Sequence, residues 1–347
     1  MLAKLLNKKQ FPVNRELYRL SMYRILNKMI EINLSLKTVW KYLVCLVLLI
    51  TQAYVVAEES DVRYQQIENN QLTGRLWFPD TDKLSPAILL LGGSGGGYEN
   101  QDAEWLSLSG FVVLNVRYFG SKELPVNLVN IPIEYFNTAV SWLDNHKLVK
   151  KGAIGIFGHS KGTEAAILTS YYNPLVKAVV VRSPSSVVWA GPGWAGFNES
   201  SWSWGGEPLD YHSVGLIDGA VWLSRMIRDK KLIKTREMFE NSLDDKNSVN
   251  SAMLPIENMK ANLLLLSGKD DQQWPSTTMA DTLVSILDDS NFEFSYKHIA
   301  FDNAGHRPGR LSKTDDTFAN GGTAQGNIEA HKRTKVVVKE FFDKNLR

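Results

Sequence analysis

Three residues far apart in the chain could together carry out nucleophilic chemistry: Ser160, Asp271 and His306. Ser160 is the centre of Gly158-His-Ser-Lys-Gly162, a G-x-S-x-G pattern. The apolar run Ala153 to Phe157 precedes it, and small and apolar residues follow from Thr163. A strand that turns at once into a helix forces the corner residue into strained backbone. Glycines two places to either side remove the side chains that would collide there. The serine hydroxyl is then lifted out of the sheet toward the free N–H groups of the helix start. It becomes a useful nucleophile only when a base takes its proton, and the base needs a partner to fix its tautomer. His306, following Ala304-Gly305, is the expected base. Asp271 in Gly268-Lys-Asp-Asp271 is the expected acid, preferred over Asp270, which is expected to cap the following segment.

Other polar residues receive other readings. His298 lies in an alternating segment and reads as packed or surface, while His159 should point away from the serine and pack. Glu164 falls in the first helical turn, where negative charge is favourable, and a loop-bracing role is open to it. Two backbone donors should face the developing oxyanion. One is the N–H of Lys161, directly after the nucleophile. The other is the N–H of Ser94 in the loop Gly92-Gly-Ser-Gly-Gly-Gly97, with Gly93 beside the substrate. That loop lacks the Lys-Ser/Thr ending of a phosphate cradle. No HExxH, paired CxxC or clustered His/Asp spacing suggests a metal, and no cofactor is expected.

These residues need elements to position them. Residues 61–79 read as two edge strands joined at Asn69-Asn70. Further strands are expected at Pro86–Leu91, Phe111–Val116, Ala153–Phe157, Val176–Val181, Leu263–Leu266 and Phe292–Ile299. Helices are expected after the glycine loop to Ser109, from Pro132 to His146, from Thr163, from Pro275 to Leu287 and from Ala324 to Lys344. Alternating strands and helices imply an α/β fold, a mainly parallel sheet covered on both faces. The order Ser, acid, His, each just past a strand, is that of the α/β-hydrolase arrangement. Between Arg182 and Pro255 the chain is longer than one crossover helix requires, and it carries Trp189, Trp194, Trp202, Trp204 and Trp222. An insertion of this length is commonly functional, and tryptophans argue for order. It is read as a cap, at about 183–255, with Trp189 and Trp194, and Trp274 beyond it, lining a substrate pocket. An extra packing layer is the alternative.

Composition bounds the rest. The 347 residues carry a formal charge of +2, which misleads. Residues 1–57 hold nine Lys/Arg against two Asp/Glu, so of 39 basic and 37 acidic residues the remainder keeps 30 and 35. No basic patch with interleaved aromatics marks that remainder, so no nucleic-acid partner is expected. Within 1–57, Lys37 and Lys41 precede an uncharged run from Tyr42 to Ala57, the pattern of a secretory signal peptide cleaved near Ala57. Translation from Met22 or Met29 would give that signal an ordinary length. An uncleaved membrane anchor, and membrane association through it, is the alternative. The single cysteine, Cys45, falls in that run, so residues 58–347, the expected hydrolase domain, need no disulfide.

The chain resembles a known family at several motifs. Gly155-Ile-Phe-Gly-His-Ser160-Lys-Gly-Thr-Glu164 is similar to the elbow of the acyl-CoA thioesterases and bile acid-CoA:amino acid N-acyltransferases. The similarity extends through Gly92–Gly97, Leu124-Pro-Val-Asn-Leu, Ile133-Glu-Tyr-Phe136, Ser267 to Ser276, Ala304-Gly-His306 and Gly321-Gly-Thr-Ala. It implies Ser160, Asp271 and His306 as a triad. Transferring members carry cysteine as the nucleophile, so serine here implies hydrolysis. Animal members also carry a β-sandwich ahead of the hydrolase domain, for which residues 58–85 are too few. The expected function is cleavage of an acyl thioester or ester through an acyl-enzyme, with a small-molecule acyl substrate. An exported carboxylesterase or lipase-like enzyme on a CoA-free ester, and a non-catalytic acyl-ligand binder, are the alternatives.

Overall fold

Apolar strands with no polar alternation must be covered on both faces, and the long strands of this chain are of that kind. In the computed structural model β3 (Ser85–Leu91) is buried at every residue, and β6 (Val149–His159), β7 (Val176–Arg182) and β10 (Asn262–Gly268) are buried over their apolar stretches. The structure describes residues 62–347 except 70, 80, 193–197, 309–318 and most of 216–232. The expected signal segment, with Cys45, and the expected cap residues Trp194 and Trp222 lie outside the described residues.

The sheet has eight strands in the order β1-β2-β4-β3-β6-β7-β10-β11. The hairpin β1 (Val62–Glu68) and β2 (Thr73–Pro79) is antiparallel, and β2 meets β4 (Val112–Arg117) antiparallel. From β4 to β11 (Tyr296–Phe301) every pairing is parallel. Successive side chains of a strand face opposite ways. Leu89, Ile156, Val179 and Leu265 therefore join the core on one face, and Ile88, Phe157, Val180 and Leu264 the core on the other. The expected fold class is the observed one.

Helix α1 (Asn100–Leu108) follows the glycine loop. Helices α2 (Ile133–Asp144) and α3 (Lys161–Tyr172) bury Phe136, Val140, Ala165 and Ile167 in the first core. Here Pro132 ends a two-residue strand, β5 (Ile131–Pro132), instead of opening α2. It is extended because that strand pairs with β8 (Trp202–Trp204) of the insertion, which in turn pairs with β9 (Glu207–Pro208).

The insertion is thus partly core. Trp202 is fully buried against Tyr118 and Phe136, at 5.7 and 5.9 Å between ring centroids. Trp204 stacks on Tyr172 at 3.7 Å. The described tryptophans at 202 and 204 serve as a packing layer on α2 and α3. Short helices α4 (Arg236–Ser242) and α5 (Lys246–Ser251) follow before β10.

The last strand begins at Tyr296, four residues later than expected. Ser295 anchors it by giving its N–H and hydroxyl to Asn262 Oδ1 at 3.0 and 2.7 Å, while the rings of Phe292 and Phe294 pack on each other. Between β10 and β11 lies α6 (Ser276–Asp289), and α7 (Ala324–Leu346) closes the second core. Its Phe342 is fully buried, edge-on to Phe111, and a Cβ added to Gly155 would approach Phe342 to 2.7 Å. Phe342→Ala should cost about 3–5 kcal/mol, read as a lower urea unfolding midpoint; a midpoint equal to wild type would contradict this packing.

Candidate active site

The corner between β6 and α3 is where chain geometry and chemistry meet. Ser160 has φ 54° and ψ −126°, left-handed backbone that a serine rarely adopts. The helix start and the glycine loop leave no room for a gentler turn. A Cβ on Gly158 would come within 2.4 Å of the Gly162 carbonyl oxygen, and one on Gly162 within 2.4 Å of the Gly92 oxygen. The corner is fastened by Ser160 N–H donating to the Arg182 carbonyl at 2.9 Å and Thr163 N–H to the Ser160 carbonyl at 2.8 Å.

The three expected residues converge. Ser160 Oγ is 3.0 Å from His306 Nε2, and His306 Nδ1 is 2.9 Å from Asp271 Oδ2. A carboxylate only accepts, so Nδ1 carries the hydrogen and Nε2 is free to accept from the serine. Asp271 has no exposed surface and His306 has 2%. Asp271 Oδ1 accepts from the N–H groups of Gln273 and Trp274 at 2.8 and 3.2 Å, and Oδ2 also accepts from Ser276 Oγ at 2.6 Å. The His306 loop is clamped by its N–H to Asn320 O at 2.7 Å and by the Ser183 hydroxyl donating to its carbonyl. Such a chain can draw the proton from a serine as it attacks a carbonyl carbon.

Asp270 departs from its expected role. It accepts from Gly322 N–H at 2.8 Å and from Gln272 Nε2 at 2.5 Å, so it holds a remote glycine turn and its near neighbour instead of capping the following helix. His159 is packed as expected, at 2% exposure, and it packs beside His306. Its ring lies 5.3 Å from that of His306, and Arg182 Nε donates to its Nδ1 at 3.3 Å. Arg182 is fully buried and paired to Asp102 at 2.7 Å. Burial works against its charge, and Asp102 outweighs burial, leaving it raised. Sequence reasoning missed Arg182, Ser183 and Ser276; their only signal was position at the end of β7 and just past the expected acid.

Lys161 and Glu164 form a buried ion pair at 2.8 Å beside Ser160. Glu164 Oε2 also accepts from Trp189 N–H at 3.1 Å and Trp202 Nε1 at 2.8 Å, and Lys161 Nζ donates to the Trp189 carbonyl at 3.1 Å. Burial raises the Glu164 carboxyl and lowers the Lys161 ammonium, each against the pull of the other. The bracing role open to Glu164 is thus the geometry observed: it ties the elbow helix to the insertion.

The remaining expected site residues sit around the serine in different ways. A Cβ on Gly93 would lie 2.9 Å from Ser160 Cβ, so the glycine loop is pressed against the corner. Ser94 is exposed on that loop, and Lys161 is the first residue of α3. Helix starts leave N–H groups without intrahelical partners. Trp189 and Trp274 are 2% and 3% exposed in a cluster with Val187, Val249, Ala252 and Met279. They are packed walls and not an exposed lining, because each ring is covered by Phe239 at 4.8 and 6.0 Å. Trp274 also meets His306 edge-on at 5.7 Å. Trp194 lies outside the described residues. Among these, no group of three or more His, Cys, Asp or Glu side chains could hold a metal ion, and no helix is long and apolar enough to cross a membrane.

Residues 131–308, more than half of the chain and spanning both Ser160 and His306, match the model of the family described as BAAT / acyl-CoA thioester hydrolase C terminal. The chain belongs to this family. It is 29% identical over 251 residues to acyl-coenzyme A thioesterase 2, mitochondrial, of Mus musculus, covering 71% of this chain and 50% of that protein. It is 26% identical over 249 residues to acyl-coenzyme A amino acid N-acyltransferase 2 of Rattus norvegicus, covering 71% and 54%. The chain spans about half the length of these relatives. Acylaminoacyl peptidase of Pyrococcus horikoshii has a similar structure, with TM-score 0.52 and 17% identity over 82% of this chain and 41% of that one. That likeness shows the α/β-hydrolase fold of this family member.

A second Ser–His–Asp chain links β10, β11 and α6. Thr277 Oγ1 donates to Ser267 Oγ at 2.9 Å, Ser267 is 2.8 Å from His298 Nε2, and His298 Nδ1 is 3.0 Å from Asp281. Ser267 has no exposed surface, so this chain is structural, and His298 is packed, one of the two readings open to it. Burial lowers the His298 imidazole below its usual range, with Asp281 opposing. An unfolded histidine takes a proton below about pH 6.5 while the folded one resists. The stability this confers is therefore present above that pH and lost as pH falls through the depressed value. His298→Gln should make the fall in Tm between pH 7.5 and 5 shallower; an identical slope in both proteins would contradict the assignment.

Proposed function

We propose that the protein is a serine hydrolase that cleaves an acyl thioester, of the acyl-coenzyme A type, through an acyl-enzyme on Ser160. The observation that carries this reading is the unbroken hydrogen-bonded chain from Ser160 through His306 to the fully buried Asp271. His306 takes the serine proton as the hydroxyl attacks the carbonyl carbon, and returns it to the departing thiol or alcohol. Water then enters, gives its proton to His306, and releases the acid. The N–H groups of Lys161 and Ser94 are assigned to the oxyanion. Their support is the helix start at Lys161 and the pressing of Gly93 against Ser160. Asp271 holds the imidazole tautomer, and four donors on its carboxylate keep it in place. Trp274 shields His306 from one side. Hydrolysis is preferred to amino-acid transfer because the proposed nucleophile is a serine. No cofactor is assigned.

The thioester is favoured over a CoA-free ester by the family and by relatives named as thioesterases. Export through the apolar segment before Ala57, or anchoring by it, is proposed from the sequence alone, and N-terminal sequencing of the mature protein tests it; a mature start near Glu58 supports cleavage.

Ser160→Ala should abolish turnover of both acyl-CoA and p-nitrophenyl esters. Asp271→Asn must turn an amide N–H toward at least one donor, and should lower kcat by about 10³–10⁴-fold. Wild-type rates in either folded variant would refute the mechanism. An acyl-CoA rate below that on the simple ester would favour the carboxylesterase reading.

A further inference from the structure

We propose that Arg75 and Arg117, with Tyr98 between them, form a subsite beside the glycine loop for a phosphate group on the far part of the leaving group; this rests on the thioester reading above. The two arginines come from neighbouring antiparallel strands. Arg75 on β2 stands opposite Asn115 on β4, and Arg117 is two residues further along β4, so all three side chains share one face of the sheet. The Arg75 guanidinium lies 4.3 Å from the Tyr98 ring centroid and 5.1 Å from that of Tyr64, and Arg117 lies 5.4 Å from Tyr98.

What makes the pair a candidate is the absence of compensation. Arg75 donates to Gln66 Oε1 at 3.3 Å and Asn100 Oδ1 at 3.1 Å, and Arg117 to the Gly96 carbonyl at 2.9 Å, all neutral acceptors. Among the described residues neither arginine forms a salt bridge, whereas the buried Arg182 and Lys161 each have a carboxylate. The neighbouring Glu99 is turned to the base of the loop, its Oε1 3.6 Å from where a Gly92 Cβ would stand. Helix α1 begins at Asn100 without a side-chain cap, which adds free N–H groups and a positive dipole end. Two guanidinium forks, half-buried and fixed by aromatic faces, suit the oxygens of a phosphate or pyrophosphate.

Location assigns the anion to the leaving group. The loop atom that Arg117 holds belongs to Gly96, three residues from the Gly93 pressed against Ser160. Gly96 N–H donates back to the Gly93 carbonyl at 3.3 Å, so the loop is turned and the arginines stand within about 15 Å of the reacting carbonyl. That is within reach of the distal end of a long leaving group. An acyl chain is apolar and carries no such charge.

The test compares an acyl-coenzyme A with the N-acetylcysteamine thioester of the same acyl group, which keeps the thioester and lacks every phosphate. The proteins are wild type, Arg75→Gln, Arg75→Lys and the double variant R75Q/R117Q, with melting midpoints measured alongside. Arg75→Gln should raise KM for the CoA thioester at least tenfold more than KM for the truncated one, and R75Q/R117Q more again. Arg75→Lys, which keeps charge without the fork, should fall between. Added salt should erode the wild-type preference for the CoA thioester and leave that of the double variant flat. Equal effects on both thioesters, or no rise in KM for the CoA thioester, would overturn the subsite while leaving thioesterase activity standing. Failure of the thioester reading looks different: wild type would cleave p-nitrophenyl ester and neither thioester. Calorimetric binding of desulfo-coenzyme A then decides, with binding by wild type and tenfold or greater weakening in R75Q/R117Q supporting the subsite. No binding by folded wild type contradicts it.

Discussion

The architecture depends on how closely two pieces of backbone approach at the β6–α3 corner. Gly162 sits so near the carbonyls of Leu91 and Gly92 that any side chain there would overlap them. That approach lets α3 start immediately after β6, and the immediate start puts Ser160 at positive φ with its hydroxyl on the outer edge of the sheet. Strain of this kind costs on the order of 1–3 kcal/mol and persists only where the surroundings over-determine it. Here the over-determination is visible: β6 is hydrogen-bonded between β3 and β7, and the helix behind it is buried along most of its length.

Around that corner the fold spends unusual chemistry on rigidity. Two buried ion pairs flank it, Lys161–Glu164 toward the insertion and Arg182–Asp102 toward α1. Buried pairs are weak evidence for stability, because desolvation offsets much of the attraction, but removing one partner leaves an unpaired buried charge and is costly. Their consequence here is geometric. Glu164 receives donors from Trp189 and Trp202, so the start of the insertion is fastened to the same helix that carries the serine. Arg182 fixes His159, whose ring backs His306. Both ion pairs are internally neutral, and Arg182 serves the imidazole through its side chain and the serine through its carbonyl.

Much of this could be read from the chain beforehand because local pattern and tertiary role coincide. Uniform apolar runs gave the parallel strands, and G-x-S-x-G between strand and helix gave the corner. Asp271 and His306 were legible because each follows a strand, the first built on an apolar run and the second alternating, in a turn containing glycine. Legibility failed where long-range packing decided. Nothing local marks Trp202 as a core residue, since its partners Tyr118 and Phe136 come from distant segments. Trp189 and Trp274 drew a binding role from their size, yet they cover each other through Phe239. Tyr296 begins β11 because of a side chain at Asn262, more than thirty residues earlier. The arginines at 75 and 117 stood in unremarkable strand positions, and only the sheet brings them together over Tyr98.

The central claim is that Ser160 is a nucleophile poised by His306, and active-site labelling tests it most directly. Intact folded protein should react with a fluorophosphonate at one site, and peptide mass spectrometry should place the adduct on Ser160; labelling should vanish in His306→Ala. A folded wild-type protein that stays unlabelled, or an adduct on another residue, would contradict the account.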